Sequence, residues 1–360
     1  MECNSEKLPE ISVDIWQHLE NLNKPILIYG MGNGAERLLD RLNDSHLTPQ
    51  GIFASDDFVR GQRFGIYKVC RYDELIEIYP DATVLLAFGS RLSSVIENIK
   101  KIAEKSPLLV PDLPIAGDEY FDAVFYREHR AELEEAYSLF TEETSRNIFT
   151  NIIRSKLTGE LAPLLAATSS DTEYYNCIDS KNIRVAVDGG AYTGDTLTEL
   201  HLHHPELARA FAVEPDRRTF EKLRRYAESA PFEVTPFHGA LWSRTGNGIF
   251  SASGNRNSSI FNTSYQSKTE DVSLLTVDSL PIGEAVDYIK YDVEGAEYEA
   301  IIGSRRTVER YRPALAVSLY HRAKDLFEIP LLLHRLNPEY RFYLRRKYCL
   351  PAWELTLYAV

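Results

Sequence analysis

Cysteine is scarce in this chain of 360 residues: Cys3, Cys70, Cys177 and Cys349 are the four present, and no two form a C-x-x-C pair. That scarcity excludes a disulfide-stapled scaffold and a cysteine-built metal cluster, and free thiols suit a reducing compartment. Long apolar runs are missing too: none approaches the roughly 18 residues that a membrane span needs. The opening MECNSEKLPE lacks both a basic n-region and an apolar h-region, so no secretory signal is expected. A soluble, cytoplasmic protein is the expectation. Positive charge is in deficit, with 40 Lys and Arg against 53 Asp and Glu for a net charge of −13. A general nucleic-acid coat would need the opposite balance. Hydrophobic content of 44% and charged content of 26% leave an ordinary globular chain, long enough for two domains.

The charge is unevenly spread. Residues 118–143 hold nine carboxylates against two arginines, and residues 301–350 hold eleven Lys and Arg against four Asp and Glu. The second stretch reads either as a basic surface for an anionic ligand or as a solvated face.

Two segments repeat the order strand, glycine turn, helix. In the first, the apolar run Pro25–Tyr29 meets Gly30-Met-Gly-Asn-Gly34-Ala35 and passes into helical spacing from Glu36 to Leu42. Strands at Gly51–Ala54 and Ala82–Phe88, with a helix from Ser93 to Glu104, complete a small doubly wound α/β domain. We assign residues 1–115 to this Rossmann-like domain. Residues 116–181 read as a helical connector, rich in Glu, Ala, Leu and Arg from Glu119 to Leu165. Residues 182–360 form the second α/β domain. Its strands are expected at Ile183–Val187, Ala210–Val213, Phe232–Phe237, Val286–Tyr291 and Ala314–Leu319, and the chain closes on an antiparallel hairpin, Arg341–Leu344 with Trp353–Val360. Seven strands with a terminal hairpin match the sheet of class I methyltransferases. Gly246–Phe250 reads as one arm of a further hairpin, and Ser251–Ser259 as a small polar loop.

Binding S-adenosylmethionine requires close backbone approach at the end of the first strand, which glycine permits. Gly190 and Gly194 flank Ala191-Tyr192-Thr193 ahead of a helix whose N–H groups suit the methionine carboxylate. Asp188 at the strand tip suits the cofactor's amino group. Glu214, at the tip of the second strand, is placed to accept both ribose hydroxyls. With Tyr192, Asp195, Pro215, Ala240 and Leu241 these residues make up the expected cofactor site. The competing reading is a nicotinamide-type Rossmann domain, but G-x-x-x-G is not its G-x-G-x-x-G spacing.

The stretches VAVDGGAYTGDT, FAVEPDRRTFEKL, YIKYDVEGAEYEAIIGS and LAVSLYHRAKDLFEIPLLLHRLNPEYRFYL resemble the FkbM family of methyltransferases. They cover almost all of residues 182–360, and Asp292-Val-Glu-Gly-Ala-Glu297 is the most specific. The resemblance implies O-methylation of a hydroxyl on a sugar, glycan or other natural product, with a tie to polysaccharide biosynthesis. It also implies histidines near Arg345-Arg-Lys-Tyr348, where this chain has none.

A hydroxyl that attacks a sulfonium methyl gains from in-line placement and from a base. Asp292, Glu294 and His321 follow the fourth and fifth strands, where this fold places reactive groups. His321 is the first choice of base, because an unperturbed imidazole titrates near neutrality. Asp292 is expected to act as base or to orient the acceptor, with capping of the next helix as the alternative for both acids. A divalent metal held by these groups is one reading, but no full set of ligands is evident.

Gly30, Gly32 and Ala35 fit G-x-G-x-x-A, and Asp56 and Asp57 follow the second strand. A nucleotide or sugar-nucleotide ligand is one reading of this turn; a scaffold is the other. For the whole chain, the alternative to an enzyme is a non-catalytic nucleotide-binding or regulatory protein, and an oligomer is compatible with either.

Overall fold

The computed structural model describes residues 8–252 and 268–360. The first sheet contains β1 (Ile26–Tyr29), β2 (Gly51–Phe53), β3 (Arg63–Phe64), β4 (Tyr67–Cys70), β5 (Thr83–Leu86) and β6 (Leu108–Leu109). Their spatial order is β3-β4-β2-β1-β5-β6. All pairs are parallel except β3 with β4. The central strands are buried on both faces, as expected of apolar runs in a parallel sheet.

The expected connector is a chain of helices: Ala123–Glu128, Arg130–Leu139, Glu143–Thr158, Leu161–Ala166 and Asp171–Tyr175. The longest buries Ile148, Phe149, Ile152, Ile153 and Leu157, an i, i+4 stripe set on one face. Each such side chain contributes about 1.5–3 kcal/mol by leaving water. Gly159 ends this helix at φ +69°, and a Cβ there would meet Ile15 Cδ1 at 2.3 Å, so helix end and N-terminal helix are fitted together.

The second sheet comprises β7 (Val185–Gly189), β8 (Arg209–Glu214), β9 (Glu233–His238), β13 (Tyr288–Tyr291), β14 (Ala314–Ser318), β15 (Phe342–Arg346) and β16 (Leu355–Ala359). The intervening β10 (Ala240–Leu241), β11 (Gly246–Ala252) and β12 (Lys268–Leu275) form a separate three-stranded sheet, ordered β10-β12-β11. The seven strands run β15-β16-β14-β13-β7-β8-β9, with β16 alone antiparallel to its neighbours. This is the class I methyltransferase arrangement. The strand order reverses between the parallel neighbours β7 and β13, and that switch point is where open α/β sheets hold ligands. The β11–β12 hairpin is antiparallel, as expected. Of the expected polar loop, residues 253–259 lie outside the described residues.

One apolar core runs from Leu27, Tyr29 and Val84 of the first sheet, through Phe149 and Ile152, to Val187, Ile289 and Leu315 of the second. The basic stretch at 301–350 is not an open basic face. Arg345 and Arg346 are buried, and Arg306, Arg312, Lys324 and Lys347 are paired with Asp278, Glu339, Glu119 and Glu199. Arg346 donates to the carbonyls of Leu164, Trp353 and Pro351, so it ties the connector to the terminal hairpin. Among the described residues no helix is long and apolar enough to cross a membrane.

Candidate active site

A cavity of about 700 Å3 opens at the carboxyl ends of β7, β8, β13 and β14. Asp188, Gly190, Tyr192, Asp195, Glu214, Pro215, Ala240 and Leu241 line it, and so do Asp292, Glu294 and His321. Ala191 and Gly194 do not. Ala191 is fully buried beneath the turn, and Gly194 faces the Tyr226 ring, which a Cβ would meet at 2.2 Å.

The turn after β7 is shaped by backbone contact. Gly190 sits at φ +73°, and a Cβ on it would stand 1.9 Å from the Asp292 carbonyl oxygen. The glycine is therefore demanded by the approach of the β7 and β13 ends as well as by room for a ligand. Tyr192, also left-handed at φ +48°, donates its N–H to Glu214 Oε2 at 2.9 Å. Asp216 N–H donates to Glu214 Oε1 at 2.9 Å. Two amides thus fix the carboxylate at the β8 tip, with lone pairs of both oxygens left over. Burial pushes Glu214 up to about 7, against the pull of those amides.

Asp188 is buried and accepts from Thr196 Oγ1 at 2.8 Å and from Lys290 Nζ at 3.3 Å. Lys290 also donates to the Gly190 carbonyl at 3.3 Å and lies 3.6 Å from Asp292 Oδ2. Despite burial, which acts the other way, Asp188 and Asp292 hold Lys290 protonated, well above its usual range. Lys290 was not among the expected site residues. Its signal in the sequence is a charge in the otherwise apolar strand before Asp292.

On the far side of Lys290, Asp292 Oδ1 accepts from Ser318 Oγ at 2.8 Å and Tyr320 OH at 3.3 Å. Burial raises the Asp292 pKa, but Lys290, His321 and these hydroxyls outweigh it and hold it at about 2. Glu294, at φ +54°, is pushed up to about 8 by burial, with the neighbouring acids adding to the effect. Neither acid caps the next helix: its N-cap is Ala296, which makes no side-chain capping bond.

His321 is 1% exposed. Its Nδ1 is 2.8 Å from Glu297 Oε1, and its Nε2 is 3.6 Å from Glu294 Oε2 and 3.7 Å from Asp292 Oδ1. Burial works against the charged ring, yet Glu297, Glu294 and Asp292 together raise it to about 10. The basicity of the ring is thus raised above the expected near-neutral value, because three carboxylates converge on it. Asp292, Glu297 and His321 also bring one ligand atom each to within 4.8 Å of one another, a cluster the sequence did not reveal.

Walls of the cavity come from elsewhere too. Tyr174 and Tyr175 of the connector line it, with the Lys347 ammonium 4.6 Å above the Tyr174 ring. Gly89, Ser90 and Arg91, from the loop after β5, line it as well. That loop is pinned by Ser90 bridging to Leu350, by Arg91 pairing with Glu354 at 3.2 Å, and by Trp353 lying against Gly89.

The first glycine turn is tight for a packing reason. A Cβ at Gly34 would stand 2.2 Å from the Ala87 carbonyl, and Gly30 is at φ +122°. Gly32, at φ +103°, precedes the helix Asn33–Asp44, Ala35 is wholly buried, and Asp56 lies 3.9 Å from Arg71.

The family model described as the methyltransferase FkbM domain matches residues 188–346. Over 94% of its length this chain is similar to the crystal structure of methyltransferase FkbM from Methylobacillus flagellatus KT, covering 90% of that chain at 20% identity and a TM-score of 0.71. It is similar at lower level to precorrin-6y C5,15-methyltransferase from Geobacter metallireducens GS-15, with 12% identity, 54% of this chain, 92% of that one and a TM-score of 0.33. No curated protein matches the chain. The likeness to the Methylobacillus structure extends through the first sheet and shows a shared fold. Residues 188–346 are thus similar to the methyltransferase FkbM domain.

Proposed function

We propose that residues 182–360 work as an S-adenosylmethionine-dependent O-methyltransferase, acting on a hydroxyl of a sugar, glycan or other natural product. The observation that carries this reading is the Glu214 carboxylate. It is buried, held by two amides, and presented to one continuous cavity that ends at Asp292, Glu294 and His321. In this reading Glu214 accepts the ribose hydroxyls, and Asp195 and its neighbours at the helix N-terminus face the methionine end. Asp188, fixed by Lys290 and Thr196, keeps a carboxylate near the cofactor's amino group. When bound, the cofactor supplies an electrophilic methyl on sulfonium sulfur.

Asp292, Glu294 and His321 then handle the acceptor. They hold the hydroxyl in line and manage its proton. Aromatic walls from Tyr174, Tyr175, Tyr320 and Trp353 offer flat surfaces that suit the CH faces of a sugar ring. We extend the proposal to polysaccharide biosynthesis in the cytoplasm, where the free thiols of Cys70, Cys177 and Cys349 persist. For residues 1–115 we propose a nucleotide or sugar-nucleotide site at Gly30, Gly32, Ala35 and Asp56, joined by the 116–181 connector to the catalytic part. Calorimetric titration with S-adenosylmethionine and, separately, with NAD(H) tests the reading: heat with the first and none with the second at the Glu214 site is the expected result.

A further inference from the structure

The carboxylate cluster around His321 has a feature that methyl transfer as described leaves unused. His321 Nε2 is buried and makes no hydrogen bond. Buried polar atoms without a partner are uncommon and call for a reason. This one faces Glu294 Oε2 at 3.6 Å and Asp292 Oδ1 at 3.7 Å, both beyond hydrogen-bond length. On the opposite edge of the ring, Glu297 Oε1 takes Nδ1 at 2.8 Å and is itself fixed by the Val293 N–H at 2.8 Å. With Nδ1–H held by that carboxylate, a cation that displaces the Nε2 proton meets a lone pair of set direction, the arrangement found behind metal-bound histidines.

We propose that Asp292, Glu294 and His321 Nε2 form a divalent-cation site, with Glu297 orienting the imidazole from behind. Ligand atoms at about 2.1 Å from an ion stand roughly 3.0–3.4 Å apart. The two spacings from His321 Nε2, 3.6 and 3.7 Å, need only a few tenths of an ångström of closure, and an ion would take the place of the long Tyr320 contact to Asp292. Two carboxylates and one imidazole, with the remaining positions open to the cavity, suit Mn2+ better than a closed tetrahedral zinc site.

The role of the ion, unlike the site itself, rests on the methyltransferase reading. An acceptor hydroxyl in an open position would be acidified by the ion. Its proton leaves to water at the cavity mouth. The oxygen lone pair forms the new C–O bond while the C–S bond breaks, and that electron pair stays on sulfur as a neutral thioether.

The test is Mn2+ titration of the metal-stripped full chain, followed by the loss of the free-ion electron paramagnetic resonance signal. One Mn2+ per chain is expected. Asp292→Asn and Glu294→Gln should each weaken it at least about tenfold, and Glu297→Gln about 10–100-fold, with circular dichroism confirming the fold of each variant. Absence of saturable binding to the wild-type chain overturns the site. So does unchanged affinity in folded Asp292→Asn and Glu294→Gln. S-adenosylmethionine titrated into the same metal-free sample separates the two claims. Cofactor binding without Mn2+ binding removes the ion site alone; Mn2+ binding without cofactor binding supports the site and removes the methyltransferase reading.

Discussion

Lys290 Nζ stands 3.3 Å from Asp188 Oδ1, a pair that joins the tips of the two central strands at the floor of the cavity. Asp188 is buried and the Lys290 side chain is 14% exposed, and removing the lysine strands the Asp188 charge. Lys290→Met should therefore cost about 3–5 kcal/mol of stability, measured by urea unfolding. A loss under about 1 kcal/mol would show that the pair is incidental to the fold.

Glu214 sets a pH dependence on cofactor binding. Its carboxyl is raised to about 7, so it is mostly neutral below that pH and ionised above it. Only the carboxylate can accept from both ribose hydroxyls while keeping its two amide bonds. Affinity for S-adenosylmethionine should rise as pH increases through about 7, and Glu214→Gln should flatten the profile near neutrality. A flat wild-type profile between pH 5.5 and 8 contradicts the assignment.

The glycine turn and the Glu214 position were legible in the sequence because each is local: an apolar run, a turn residue, an acid at a strand tip. Helix capping by Asp292 and Glu294 was a local alternative that failed: Ser318 at the end of β14, Tyr320 just past it and Lys290 of the preceding strand claim Asp292, and the helix N-cap is Ala296. Likewise the upward shift of His321 from near-neutral basicity was not legible, because Glu294 and Glu297, 27 and 24 residues away, converge on it only in the fold. Tyr174 of the connector and Arg91 after β5 were illegible as cavity walls for the same reason. Arg345 and Arg346 read as surface charge, since nothing nearby in sequence announces the carbonyls and the Glu142 carboxylate that bury them.

Arg346 supplies the third prediction. It is wholly buried, and Arg346→Ala would leave the carbonyls of Leu164, Trp353 and Pro351 without their donor. Each buried unpaired group costs about 1–3 kcal/mol. The variant should lose several kcal/mol in urea unfolding, and Arg346→Lys, without the forked geometry, should recover only part. Full stability in Arg346→Ala would show that water replaces the guanidinium.

His321→Ala should lower turnover about 10²–10⁴-fold on the true acceptor. Cofactor affinity should stay close to wild type, because neither Glu214 nor Asp188 is among the carboxylates that His321 faces. Parallel loss of affinity and turnover, read by calorimetry and single-turnover kinetics, would move His321 to a purely structural role. Sugar and glycan hydroxyls are the acceptors to screen first.

Calorimetric comparison of wild type and Glu214→Ala with S-adenosylmethionine tests the central claim most directly. Saturable one-to-one binding is predicted for the wild type, weakened by about 1–3 kcal/mol in the variant, or roughly 5–150-fold, as a charge-assisted bidentate hydrogen bond is lost. No heat with the wild type, or equal affinity in the folded variant, would contradict the account.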